Sequence, residues 1–162
     1  MARSTMAGLI TTFRLYRGDI TSSVITDSEV ERIFDLNREY FDKVQLFPDS
    51  DNKIFETPFR HIESGASIID GSDNVVSPDA TFFIEGRFTF TSAQSSGLRI
   101  KGYYHNLFKT LAMAYRMVAQ ESDRWEKYKR GEVELTKSDV NIIANNFERL
   151  GFRRKIQRME RS

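Results

Sequence analysis

The sequence predicts an α+β fold: mainly a helical bundle of about four helices, with a strand-rich β insertion in the middle. Three observations predict it. Apolar residues recur at helical spacing before Pro48 and again after Tyr103. The chain's 3 prolines, Pro48, Pro58 and Pro78, all fall between those two regions. Within 48–101 the pattern breaks into short alternating runs bounded by Gly, Ser, Asn and Asp, the signature of strands and turns.

The first helix is expected over 5–17, where Met6, Leu9, Ile10, Phe13 and the Leu15-Tyr16 pair form an apolar side. Gly18 and Asp19 end it, and Ile20 to Ile25 forms an extended link. The tripeptide Arg17-Gly18-Asp19 matches an integrin-type motif, but its place at a helix end reads as a turn. Thr26 is the N-cap candidate of the second helix, with Glu29 three residues on. A threonine side chain there accepts a free backbone N–H, and the glutamate returns the bond. Val30, Ile33, Phe34, Asn37, Phe41 and Val44 continue one face, so this helix is expected to run until just before Pro48.

Candidate strands follow at Ile54 to Arg60, Ala66 to Ile69, Ala80 to Glu85, Arg87 to Thr91 and Leu98 to Tyr103. Gly71-Ser72-Asp73-Asn74 and Ser95-Ser96-Gly97 read as turns, and Glu85-Gly86 as a tight turn or bulge. A long third helix is expected from near Tyr104 to Lys129, with Leu107, Leu111, Ala114, Tyr115, Val118, Ser122, Trp125 and Tyr128 along one side. Gly131 breaks it. Thr136 and Asp139 make a second capping-box start for a fourth helix, whose stripe is Val140, Ile143, Ala144, Phe147 and Leu150, continuing to Ile156 and Met159.

Composition narrows the function. The formal net charge is +1, from 24 basic and 23 acidic residues, which is weak for a nucleic-acid binder. The charge is uneven, however: from Phe147 on, Arg149, Arg153, Arg154, Lys155, Arg158 and Arg161 face only Glu148 and Glu160. That basic end suits a solvated helix terminus, an acidic protein partner or nucleic acid. With no cysteine, disulfides, thiolate catalysis and cysteine metal sites are excluded. No segment approaches the roughly 18 apolar residues of a membrane-spanning helix, and no signal-peptide core is visible, so a soluble, unsecreted protein without a membrane partner is expected.

Several segments together resemble the head–tail connector (adaptor) proteins of tailed bacteriophages. LITTFRLYRGDITSSVITDSEVERIFDLNREYF is similar to their opening short helix, loop and acidic T-D-x-E helix start, here Thr26-Asp27-Ser28-Glu29. GRFTFTSAQSSGLRIKGYY, Gly86 to Tyr104, resembles the strand, turn and strand that feed the long helix of larger connectors. WEKYKRGEVELTKSDVNIIANNFERLGFRRKI resembles their aromatic-K-x-G link, at Tyr128, Lys129, Gly131 and Lys137. Residues 48–80 match no part of that pattern.

The resemblance implies a single connector-like domain over 1–162, with 48–101 as an insertion or arm. It implies a structural virion protein in the phage neck, present in the host cytoplasm during assembly. Its partners would be the portal protein, a tail terminator or stopper protein, and copies of itself in a homo-oligomeric ring, twelve-fold in the assembled virion. DNA would pass through that ring without specific binding. No catalytic residue, cofactor or metal is implied. The terminal segment would dock on the portal, which points to Phe152, Arg153, Arg154, Lys155, Ile156, Arg158 and Met159. Phe82, Phe83, Phe88, Phe90 and Trp125 are the intersubunit candidates. Phe82 and Phe83 are adjacent in a strand and must point opposite ways, so one needs cover from another layer or subunit.

Two rival readings remain at this level. One is a nucleic-acid-binding regulator that uses the basic C-terminal helix. The other is a small enzyme with carboxylates that the sequence does not pair. His61 and Glu63 alternate onto one strand face and suggest a surface pair, His105 a polar or capping residue near the third helix, and Asp70, Asp73 and Asp79 solvated turns.

Overall fold

A computed structural model describes residues 6–16, 20–129 and 135–159, with side chains at all of these except 127, 129 and 151–159. The Arg17-Gly18-Asp19 motif and Gly131 lie outside the described residues. The element order is α1 (Met6–Tyr16), α2 (Asp27–Leu36), β1 (Arg38–Gln45), β2 (Phe47–Pro48), β3 (Ile54–Glu56), β4 (Ser67–Ile69), β5 (Ala80–Phe82), β6 (Arg87–Thr89), β7 (Arg99–His105), α3 (Leu107–Gln120), α4 (Ser122–Lys129) and α5 (Lys137–Met159). The chain forms two compact units, one holding Arg38–His105 and the other Met6–Asn37 with Asn106–Ile156.

This overturns the expected bundle with a β insertion. Among the described residues, five helices and seven strands are present, and the strands form two antiparallel sheets around a core of their own. The strand region begins at Arg38, where the sequence pattern predicted a continuing second helix. That helix stops at Leu36, with Asn37 as its C-cap. The next eight residues form β1, paired along β7 from Arg38↔His105 to Gln45↔Arg99. The misleading signal has a physical cause. Phe41 and Val44 are three apart, a helical spacing, yet a bulge between them, with Lys43 at φ 47°, turns both toward the same face.

In the β unit, β1-β7-β4 form one sheet and β2-β3-β6-β5 the other. Phe41, Phe55, Ile68, Phe88, Ile100 and Tyr104, drawn from both sheets, are buried in one cluster. Phe41 stacks on Phe59 at 4.7 Å between centroids, and Phe55 meets Phe90 edge-on at 5.6 Å. Two glycines permit close approaches. A Cβ on Gly102 would lie 2.7 Å from Ala66 Cβ, and one on Gly86, at φ +69°, would lie 2.1 Å from the Phe59 carbonyl oxygen.

In the helical unit, Leu9, Phe13, Ile25, Val30, Phe34, Leu111, Tyr115, Val118, Tyr128, Val140 and Ala144 share one buried cluster. Both predicted capping boxes form. Thr26 Oγ1 accepts from the Glu29 N–H while Glu29 accepts from the Thr26 N–H at 2.9 Å. Asp139 N–H donates to Thr136 Oγ1 at 3.2 Å, and Thr136 N–H to Asp139 at 2.9 Å. The expected single helix to Lys129 is instead two: Glu121, at φ −92° and ψ 119°, separates α3 from α4.

Candidate assembly interface

The Phe-rich strands divide by face. Across the second sheet, Phe47, Glu56, Arg87 and Phe82 stand in register on one row, and Ile54, Thr89 and Ala80 on the next. Phe55 and Phe88, paired with each other, point the other way and are buried. Pleating therefore leaves an outward face on which Phe47 is 41% exposed, Ile54 39% and Phe82 39%. The Arg87 guanidinium lies over the Phe82 ring at 4.6 Å and 3.2 Å from a Glu85 oxygen. Its Nε is shielded from water without a hydrogen-bond partner. The face thus groups three partly exposed apolar side chains around the Arg87 guanidinium.

The five intersubunit candidates thus take different places. Phe82 is on the outward face. Phe83 is half-buried and meets Phe88 edge-on at 6.0 Å, so the adjacent pair resolves into one outward and one inward ring. Phe88 and Phe90 are core residues of the β unit. Trp125 is buried in the helical unit, stacked on Tyr128 at 5.9 Å. Sequence reasoning missed Phe47, Ile54 and Arg87. Their only signal was their parity with Phe82 through strand registers that no local pattern reveals.

The first sheet has its own outward pair. Tyr40 and Tyr103 are directly opposite and meet at 5.0 Å, and the Arg38 guanidinium lies 3.7 Å from the Tyr103 ring centre. Beside it Glu63, expected in a surface pair, is buried. Glu63 joins Arg38 at 2.6 Å and His105 at 3.1 Å. His105 is the buried last residue of β7, while Asn106 caps α3 by accepting from the Lys109 N–H. The Glu63 carboxylate, hydrogen-bonded to the Arg38 guanidinium and beside the His105 imidazole, braces the end of the β1–β7 ladder where Arg38 and His105 are paired.

Asp70 serves a turn, as expected, while Asp79 and Asp73 bond distant residues. Asp70 accepts from the Asn74 side-chain amide, then from the N–H groups of Asn74 and Ser72, bonds that favour the carboxylate and lower its pKa. Asp79 accepts from Thr91, and Asp73 pairs with Lys43. Among the described residues, no group of three or more His, Cys, Asp or Glu side chains is placed to hold a metal. Helix α5 extends through all seven portal-docking candidates, Phe152 to Met159, whose side chains lie outside the described residues. Among the described residues no helix is long and apolar enough to cross a membrane.

No family model, curated protein or solved structure matches this chain.

Proposed function

We propose that this chain is a structural subunit of a bacteriophage head–tail connector ring, joining the portal to the tail and leaving a channel for DNA. One observation carries the reading. The middle segment of the connector-like sequence pattern, Gly86 to Tyr104, lies in the β unit; the first and last, Leu9 to Phe41 and Trp125 to Ile156, are far apart in the chain. Their helices nevertheless form one unit with one buried core. The T-D-x-E start is a working capping box in that unit, and so is the Thr136 start of α5. Helix α5 then carries the basic residues toward its C-terminus, where cations suit the helix dipole and an acidic portal surface alike. The outward row Phe47-Arg87-Phe82 supplies a surface for a neighbouring copy, and modest contacts of this kind gain strength by repetition around a closed ring. A net charge near neutral suits a channel that passes DNA without retaining it.

The test is cryo-electron microscopy of virions assembled with tagged chain, compared with chain carrying Phe82→Asp. Ring-shaped tag density at one capsid vertex, reduced at least tenfold by Phe82→Asp, is the expected result. Tag density absent from every virion overturns the proposal. The alternative, a nucleic-acid-binding regulator, draws on the basic end of α5. It requires duplex or single-stranded DNA affinity that falls steeply with salt, and no mobility shift at low salt removes it.

A further inference from the structure

The bend at Glu121 occurs where the sequence encodes a continuous helix. No glycine or proline lies between Gly102 and Lys129, and the apolar stripe of α3 continues in phase through Ser122 and Trp125. The hydrogen-bond ladder also nearly spans the bend: Glu121 N–H donates to the Met117 carbonyl at 3.1 Å, and Trp125 N–H to the Glu121 carbonyl at 3.0 Å. Only the extended ψ of one residue divides the helices. Ser122 and Asp123 favour a helix start at this point but do not compel one.

The bend is held from outside the segment. Arg124 on α4 donates from Nη2 to Glu29 Oε1 at 2.6 Å, from Nη1 to Glu29 Oε2 at 3.2 Å, and from Nη1 to the Val24 carbonyl at 3.1 Å. Its Nε bonds Glu121 at the bend itself. Arg124 therefore ties α4 to the N-terminus of α2 through a two-pronged, charge-assisted contact. Trp125 and Tyr128 are buried beside it.

We propose that α3 and α4 form a two-state element: bent in the lone chain, with Arg124–Glu29 as its clasp, and convertible to one straight helix when the clasp opens. Straightening carries α4 away from α2 and uncovers Trp125 and Tyr128. The straight state is thus a minor population of the lone chain, enlarged by loss of the clasp and favoured where another apolar surface covers those rings. The inference stands on this geometry and does not depend on the connector reading.

The chain has no cysteine and a single tryptophan, so both reporters are clean. Spin labels on cysteines introduced at Arg32 and Glu126 measure the α2–α4 separation, and Trp125 emission measures its burial. The wild type is expected to give one short separation and a protected tryptophan. Arg124→Met, or Glu29→Gln (which retains a capping-box side chain), is expected to raise a second population about tenfold, as suits loss of a charge-assisted contact. That population should be longer by about 10 Å, roughly the length of α4 at 1.5 Å per residue, with tryptophan emission shifted to the red and helical circular dichroism kept. A folded variant with the wild-type separation and a protected tryptophan overturns the proposal. If both clasp variants lose their helical signal, adding Ser122→Ala and Asp123→Ala to Arg124→Met decides, because these raise helix propensity across the bend with the clasp open. That combined variant keeps its helical signal: the longer separation there supports the two-state element, and the wild-type separation overturns it.

Discussion

Gly86 shows how one residue constrains the β unit. Its φ of +69° lies where a side chain is strained, and a Cβ would meet the Phe59 carbonyl oxygen at 2.1 Å and Thr57 Cγ2 at 2.7 Å. Moving that carbonyl would disturb a segment whose Phe59 ring packs on Phe41 and Tyr104. Gly86→Ala is therefore expected to cost about 2–3 kcal/mol, read as a lower urea midpoint. Gly65→Ala, with nothing within 4 Å of the new methyl, should leave the midpoint nearly unchanged. Equal midpoints for both variants would show that the loop around Phe59 yields. The sequence pointed to a turn or bulge at Glu85-Gly86, because glycine between aromatic runs is a local signal. It could not point to Glu63, Arg38 and His105 meeting, since nothing near any of them specifies partners so far along the chain.

At the scale of elements, the same difference between local and distant information decides what was legible. The starts of α2 and α5 were readable because a capping box is complete within four residues: Thr26 with Glu29, Thr136 with Asp139. Strand β1 was not, because its bulge makes Phe41 and Val44 imitate a helical stripe. The α3–α4 bend was not, because Glu29, which holds it, lies in another helix. Glu29 also gives α2 a pH dependence. The Arg124 guanidinium, then the Thr26 N–H, hold its pKa at about 2, well below its ordinary value of 4.5. A lowered carboxylate pKa contributes stability that is fully present above the unfolded value and is lost as pH falls from there through the folded value. The carboxylate is about a third exposed, so solvent screening leaves about 1 kcal/mol. Thermal melts are expected to lose this increment between about pH 5 and pH 2 in the wild type, and Glu29→Gln should show a flatter profile over that range. Parallel profiles would assign the acid sensitivity to other carboxylates.

For the whole molecule, the sequence disclosed the helical unit more fully than the β unit. The helical core is assembled largely from stripes visible at helical spacing. The β core depends on register between strands of only two to eight residues, most too short to reveal their pairing. Arg38–His105, the stretch that carries both sheets and their core, begins and ends on a registered pair. Closing its ends thus needs no added linker, and its core is its own. The segment 38–105 expressed alone is expected to fold, giving dispersed amide resonances and a cooperative urea transition. A collapsed spectrum without dispersion would show that its core needs the rest of the chain.

The Arg38–His105 pairing also has a mechanical consequence. Tension applied through Asn37 and Asn106 reaches the β unit at adjacent strand ends, so it pulls the β1–β7 ladder apart sideways. The rungs are then loaded in turn, beginning at Arg38 and His105, instead of together as in shear. Such a unit yields at modest force and releases slack on the order of 200 Å, the extended reach of residues 38–105. The Asn106 N–H bond to the Asn37 carbonyl at 3.2 Å, and behind it the Glu63 carboxylate between Arg38 and His105, are the first contacts such a load meets.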